Sequence, residues 1–234
     1  MKSVVVFSGG LDSTVLLAKL IAEGRTCLAL TVDYGQRHRR EIESAKAICA
    51  ALGGITHRVA DLGALAPLWG RNSLTDATVD VAEGHYTEER MRSSVVPGRN
   101  LLLLATAAAW AFAERCDSLA YGAHGGDHAI YPDCREAFAD ATARAIALAD
   151  WHTLALERPF VMLDKTAIVR MGAALRAPMH LSWSCYKGGA EHCGRCGTCI
   201  ERREAFANAG VEDPTRYAPD APDAGTLAKN GWKP

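Results

Sequence analysis

Short apolar runs alternate with amphipathic stretches of helical period along most of the chain. Val4-Val5-Val6-Phe7 is too short for a helix and is closed by Ser8-Gly9-Gly10, so it reads as a buried strand followed by a turn. Val15-Leu16-Leu17-Ala18-Lys19-Leu20-Ile21 then predicts a helix over 13–23 with Gly24 at its end. Residues 27–32 form a second strand and 56–60 a third. Between them Ile42, Ala45, Ile48, Cys49 and Leu52 recur at the spacing of a helix over 41–52, stopped by Gly53 and Gly54. Further on, the pattern predicts a helix over 101–114, a strand over 118–121, and helices over 136–150, 165–175 and 200–209.

Such alternation is the mark of right-handed βαβ units and predicts a doubly wound α/β domain with a mostly parallel sheet. In these sheets ligands bind beyond the carboxyl ends of the strands, at a topological switch point. The turn after the first strand, the 33–36 turn and the 122–135 loop all follow strands and are expected to converge on one crevice. Residues 61–98 carry weak periodicity and several turn formers, and are expected to form a long irregular or mobile excursion. The tail from Asp213 is rich in Pro and Asp and is expected to be irregular. Residues 1–180 are expected to form the main domain and 181–234 a small region packed on it.

The 234 residues suffice for one sizeable core. With 26 basic and 27 acidic side chains the net charge is −1, so no global basic field favours nucleic acid, although Arg37-His38-Arg39-Arg40 is a local basic run. The chain does not open on a charged segment followed by a signal-type apolar run. The longest apolar stretch, 101–113, is alanine-rich, broken by Thr106 and below the ~20 residues that cross a bilayer, so it reads as a buried helix. A soluble cytoplasmic protein with no membrane partner is expected.

The turn Ser8-Gly9-Gly10-Leu11-Asp12-Ser13-Thr14 carries the first candidate chemistry. Backbone N–H groups at a helix N-terminus, with the helix dipole behind them, attract anions. Gly9 and Gly10 lack the Cβ atoms that would hold a phosphate off, and Ser8, Ser13 and Thr14 add hydroxyl donors. The lysine of a G-x-x-x-x-G-K-[ST] loop and the G-x-G-x-x-G spacing are both missing. Instead the loop resembles the pyrophosphate-binding loop of the N-type ATP pyrophosphatases, which cleave ATP between the α- and β-phosphates and activate a substrate as its adenylate. The plain alternative is a tight strand-to-helix turn in which Asp12 or Ser13 only caps the helix.

Eight cysteines are unevenly spread. Cys27, Cys49 and Cys116 lie singly among apolar neighbours, as small buried hydrophobes do, and Cys134 sits in a polar loop. Cys185, Cys193, Cys196 and Cys199 instead crowd into a C-x7-C-x2-C-x2-C pattern containing Gly194 and Gly197. Four thiolates suit tetrahedral Zn²⁺ in a closed, structural site, and such clustering favours a metal over disulfides in a reducing compartment. A C-x-x-C redox pair would leave two cysteines without a role, and an iron–sulfur cluster takes the same ligands; zinc is the expected occupant.

The opening loop, Asp33-Tyr34-Gly35-Gln36-Arg37-His38, Val96-Pro97-Gly98-Arg99-Asn100, Tyr131-Pro132-Asp133-Cys134-Arg135, Trp183-Ser184-Cys185-Tyr186 and Cys193-Gly194-Arg195-Cys196-Gly197-Thr198-Cys199 follow one another in this order. Together they resemble the 7-cyano-7-deazaguanine synthase family of the queuosine pathway, from residue 3 to about residue 214. The resemblance implies an adenine nucleotide alpha hydrolase-like fold. It also implies an ATP-dependent ligase that converts 7-carboxy-7-deazaguanine and ammonia to the nitrile through adenylate and amide intermediates, consuming two ATP. The implied cofactors are a structural zinc and ATP with Mg²⁺; the implied partners are a deazapurine carboxylate and ammonia, with no required nucleic acid, in a homodimer.

On this resemblance Phe7, Ser8, Gly9, Gly10, Leu11, Asp12, Ser13, Thr14 and Asp33 face ATP. Asp12, Ser13, Lys165 and Arg99 act on the reacting groups, Lys165 by neutralising phosphate and Arg99 by gripping a carboxylate or phosphate. Arg99, Asn100, Asp127, Tyr131, Asp133 and Arg135 bind the deazaguanine, and the four clustered cysteines hold the metal. Taken singly, Arg99-Asn100 reads more simply as a helix start and Pro132-Asp133 as a turn. His124 and His128 should border the crevice, where proton transfer or a second metal is conceivable beside ordinary hydrogen bonding; Asp127 ranks above either as a substrate contact. Many family members carry Ser-Gly before the tyrosine where this chain has His128-Ala129-Ile130, a departure that bears on substrate recognition rather than adenylation. Other readings stay open: a paralogue that passes the activated carboxylate to a protein or nucleic-acid amine, a tRNA-thiolating enzyme with Cys134 as sulfur carrier, or a zinc-ribbon module that binds nucleic acid without ATP.

Overall fold

The computed structural model describes every residue except Tyr86, Ala129 and Pro234, and for Glu88 and Arg90 the backbone only. Ala129, the middle residue of the departure before Tyr131, is therefore outside the described residues. At the centre is a parallel sheet of order β3-β2-β1-β4-β5, built from β1 (Lys2–Val6), β2 (Thr26–Asp33), β3 (Thr56–Asp61), β4 (Ser118–Ala120) and β5 (Ala155–Glu157). Around it run α1 (Leu11–Ala22), α2 (Arg40–Leu52), α3 (Glu88–Met91), α4 (Arg99–Ala113), α5 (Glu136–Ala147), α6 (Lys165–Ala174), α7 (Gly197–Ala209) and α8 (Ala224–Lys229).

Alternate residues of a strand point to opposite faces, so a sheet covered on both faces needs apolar residues at every position. β1 shows why the first apolar run is unbroken. Val4 packs with Leu28, Leu30 and Leu119 under α4 and α5, while Val5 and the following Phe7 pack with Ala29 and Ala120 under α1, α2, α6 and α7. The chain steps from β1 outward through β2 to β3, then crosses back to β4 on the other side of β1. The switch point therefore lies between the carboxyl ends of β1 and β4, where the doubly wound reading puts a ligand.

Four segments differ from the sequence reading. Residues 61–98 are irregular, with a 3-10 stretch over Gly63–Trp69, but they are built into the core: Ser73 and Leu74 are fully buried, and Trp69, Met91 and Val96 join the cluster beneath α4. The predicted 101–114 helix is covered on one face only. Leu104, Ala107, Ala108 and Ala111 are buried, whereas Leu101 is 51% exposed. By length and composition Arg92–Ala113 could cross a membrane, yet its α-helix begins after Pro97-Gly98 and has 15 residues, short of the ~20 a span requires. Finally, β5 and α8 went unread because three and six residues, respectively, carry too little periodicity.

Candidate active site

The chain leaves β1 through Phe7-Ser8-Gly9-Gly10 and enters α1 at the carboxyl edge of the sheet. Gly9 has φ +82°, and a Cβ there would lie 2.3 Å from the Glu41 carbonyl oxygen and 2.6 Å from the Ala45 nitrogen. The close approach of α2, rather than a phosphate, requires this glycine. Gly10 is extended, caps α1 without any side-chain hydrogen bond, and lines a cleft. Thr14 is the first residue whose N–H bonds back, to the Gly10 carbonyl at 3.1 Å. The donors ahead of it belong to Leu11, Asp12 and Ser13, which line the cleft and carry the positive end of the helix dipole. Ser8 Oγ lies 3.2 Å from Ser13 Oγ on the same wall. Thr14 donates its hydroxyl to Gly10 O at 2.7 Å and braces the turn, and Phe7 is sealed in the core; neither lines the cleft.

Opposite the turn, Lys165 opens α6 and reaches Asp12 Oδ2 at 3.3 Å and Glu201 Oε2 of α7 at 2.6 Å. Burial works against its charge, but Asp12 and Glu201 outweigh burial and hold its pKa above the ordinary lysine range. His124 is 1% exposed, with Nε2 at 3.4 Å from Asp127 Oδ2 and 3.8 Å from Asp12 Oδ2. Its Nδ1 accepts the Gly126 N–H at 3.1 Å, so the neutral ring carries its proton on Nε2, facing the carboxylates. Asp12 Oδ1 is buried without a hydrogen-bond partner among the described residues.

The far end of the cleft is aromatic. Arg99, the first residue of α4, lies over the rings of Tyr34 at 5.9 Å and Tyr131 at 5.7 Å, and among the described residues no carboxylate comes within ion-pair reach of it. Tyr34, Trp183 and Tyr186 line the wall with His38 and Glu41. Glu41 accepts from Gln36 Nε2 at 2.9 Å, and burial pushes its carboxyl up to about 7. Cys134 also faces the cleft, but burial raises its thiol, which makes it a poor sulfur nucleophile.

Other residues singled out in the sequence do not reach the cleft lining. Asp33 pairs with Arg39 and accepts the Gly35 N–H. Asp133 accepts the Asn100 N–H at 3.0 Å, and Asn100 Nδ2 donates to Asp133 O at 3.1 Å, tying the Pro132 turn to the start of α4; Asn100 itself lines the cleft. Tyr131 is buried, with its hydroxyl 2.8 Å from Ser94 Oγ, and Arg135 donates from Nε to His128 O at 2.8 Å near the surface. Asp127 does line the cleft. Conversely, Glu41, Trp183, Tyr186 and Thr198 line the cleft although the sequence pattern gives none of them a site role. Glu41 left one readable signal: it precedes Ala45 by four and Ile48 by seven residues, which puts a carboxylate on the apolar face of α2.

The four clustered cysteines bring their sulfurs within 4.8 Å of one another, with Cys193 and Cys199 4.0 Å apart. A tetrahedron of ~2.3 Å Zn–S bonds has edges of ~3.8 Å, so the set fits a zinc ion. Cys193 Sγ accepts the N–H groups of Arg195 and Cys196, a backbone cradle that suits a thiolate ligand. The cluster also shapes the cleft. Trp183 N–H bonds Gly9 O at 2.9 Å, and Thr198 Oγ1 bonds Ser184 O at 2.8 Å, so residues flanking the cysteines become its wall.

A parallel sheet of this order, with a Ser-Gly-Gly turn, a lysine and carboxylates at its switch point, defines a PP-loop ATP-using α/β protein. The fold is shared with the structure of NMN synthetase from Francisella tularensis, at a TM-score of 0.50 and 16% identity over 98% of this chain and 82% of that one. Within that class the chain belongs to the queuosine biosynthesis protein QueC family, whose model matches residues 2–210. It is 48% identical to a 7-cyano-7-deazaguanine synthase of Rhizobium rhizogenes over 99% of this chain and 98% of that protein. It is 50% identical to a 7-cyano-7-deazaguanine synthase of Rhizobium meliloti over 95% and 94%.

Proposed function

We propose that this chain joins ammonia to 7-carboxy-7-deazaguanine and dehydrates the product to 7-cyano-7-deazaguanine, cleaving two ATP to AMP and pyrophosphate. The observation that carries the reading is the two-ended cleft: an anion-binding helix start with Lys165 at one end, and at the other an Arg99 set among aromatic rings with no carboxylate partner among the described residues. Its family membership and the names of its relatives point the same way, and neither the amine-transfer nor the thiolation alternative is favoured.

The chemistry explains why both ends are needed. A ring-conjugated carboxylate is a poor electrophile. Its oxygen attacks the α-phosphorus of ATP, and pyrophosphate leaves. Ammonia then attacks the acyl carbon, a nitrogen proton is lost, and AMP departs to give the amide. In the second round the amide oxygen attacks another α-phosphorus, and loss of two N–H protons and AMP yields the nitrile. Ser8, Ser13 and the first-turn N–H groups of α1 would receive the departing pyrophosphate, with Lys165 supplying a positive charge. Arg99 would hold the substrate carboxylate through paired N–H donors.

Asp12, with a buried oxygen that lacks a partner, and neighbouring Asp127 and Glu201 would hold Mg²⁺, a hard ion that prefers oxygen and supplies charge to the phosphates when bound. His124 suits this role less, since its Nε2 bears the proton. Cys185, Cys193, Cys196 and Cys199 would hold a structural Zn²⁺, with the region from residue 181 serving as a wall for the 1–180 domain. A cytoplasmic homodimer belongs to the same reading, and sedimentation measures its mass directly. The function is tested by the products of ATP. AMP and pyrophosphate should form only when the carboxylate or its amide is present, whereas ADP, or turnover indifferent to both, would contradict it.

A further inference from the structure

Three carboxylates face the cleft, and two of them have an evident neighbour: Lys165 stands 3.3 Å from Asp12, and His124 stands 3.4 Å from Asp127. The third, Glu41, has no lysine or arginine within ion-pair reach among the described residues. It projects from the first turn of α2 and is 9% exposed. Its Oε1 accepts from Gln36 Nε2, and Gln36 is itself fixed by the Tyr34 N–H and the Val32 carbonyl. Among the described residues its Oε2 meets only His38 Nε2, at 3.5 Å, too long for a good hydrogen bond. His38 is 2% exposed, lies against the Tyr186 ring, and is kept neutral by burial.

The remaining charges that act on Glu41 are Arg99 from α4, which favours its ionised form, and Asp33 at the end of β2, which opposes it. Burial outweighs both, so this carboxyl exchanges its proton near neutral pH, where a base is most effective.

The reaction proposed above has a need that the adenylation machinery does not meet. Attack of an oxygen on phosphorus requires no base, yet the nitrogen must shed every proton between ammonium and nitrile. We propose that Glu41 is the base that removes protons from the substrate nitrogen, and in particular the last one as the nitrile forms. In that step the N–H bond of the imidoyl adenylate breaks and its proton passes to Glu41 Oε2. The N–H electron pair becomes the third C–N bond, the C–O bond breaks, and AMP leaves with those electrons. Glu41 returns the proton to water through the cleft. This assignment rests on the nitrile-forming reading.

The test supplies the deazaguanine amide with ATP and Mg²⁺, without ammonium, and follows nitrile and AMP across a pH series. Wild-type turnover should fall about tenfold per pH unit below about 7. Glu41→Gln should lose nitrile formation by about a hundredfold or more and lose that acid limb, with the KM for the amide little changed. Its single-turnover pyrophosphate release from the carboxylate, measured without ammonia, should stay within about threefold of wild type, because that step sheds no proton. A Glu41→Gln enzyme with wild-type nitrile rates overturns the assignment. So does one with raised KM and unchanged kcat, which would make Glu41 a contact for the N–H edge of the base. Should Glu41→Gln not fold, Glu41→Asp carries the test: a reduced rate with the acid limb retained supports the role, and an undiminished rate refutes it. Wild-type enzyme that leaves the amide untouched refutes the nitrile-forming reading itself.

Discussion

The two glycines of the first turn look equivalent in sequence and are not equivalent in space, so exchanging each for alanine should separate folding from binding. Gly9 sits at φ +82°, where an L-residue costs about 1–2 kcal/mol. Its added Cβ would also lie 2.3 and 2.6 Å from backbone atoms of α2, which cannot swing aside as a side chain would. Overpacking of that kind adds about 1–3 kcal/mol, for a total of about 2–5 kcal/mol. At this chain length each kcal/mol lowers the melting temperature by ~2–4 °C, so Gly9→Ala should melt on the order of 10 °C early. Gly10 has an extended backbone, and its Cβ would meet only Ser8 Oγ at 3.1 Å and Trp183 O at 3.5 Å. Gly10→Ala should therefore melt within a few degrees of wild type yet bind ATP about tenfold more weakly, since its methyl enters the cleft and pushes on Ser8. Thermal unfolding and ATP titration of both variants give the answer. A Gly9→Ala protein that melts like wild type but loses ATP would refute the assignment of Gly9 to helix packing.

Lys165→Met leaves Asp12 and Glu201 without their cation and should slow pyrophosphate release by about 10²–10³-fold with the KM for the carboxylate little changed; a near-wild-type rate would remove Lys165 from the phosphate site. Arg99→Lys keeps the charge but loses the paired donors, and should raise the KM for the carboxylate about tenfold or more, read from initial rates. Elemental analysis should find one zinc per chain. Its removal by a chelator should lower both the melting temperature and the ATP affinity, because Trp183, Ser184 and Thr198 share the cleft wall with the cysteines' own segments, whereas iron in place of zinc would overturn the metal assignment.

Legibility followed the range over which each signal acts. β1, the turn and α1 were readable because a buried parallel strand, two glycines and a helical repeat are all local patterns. The cysteine cluster was readable for the same reason, with three of its four ligands within seven residues. Asp33, Asp133 and Arg135 stood in suggestive local settings, but their partners, Arg39, the Asn100 N–H and the His128 carbonyl, come from how loops meet, which spacing does not encode. The 61–98 segment looked loose because its apolar residues are too scattered to show a period, although Leu74 is wholly buried. Glu41 was hidden differently: it fits a solvated helix start, and only its phase relative to Ala45 and Ile48 marks it as inward-facing.

The central claim is that one cleft activates the same carbon twice. Incubating the protein with 7-carboxy-7-deazaguanine, ATP, Mg²⁺ and ammonium, and following the deazapurine by mass, tests it directly. A transient amide followed by the nitrile is expected, with two AMP and two pyrophosphate formed per nitrile. Amide that accumulates without nitrile, at one AMP per amide, would contradict it.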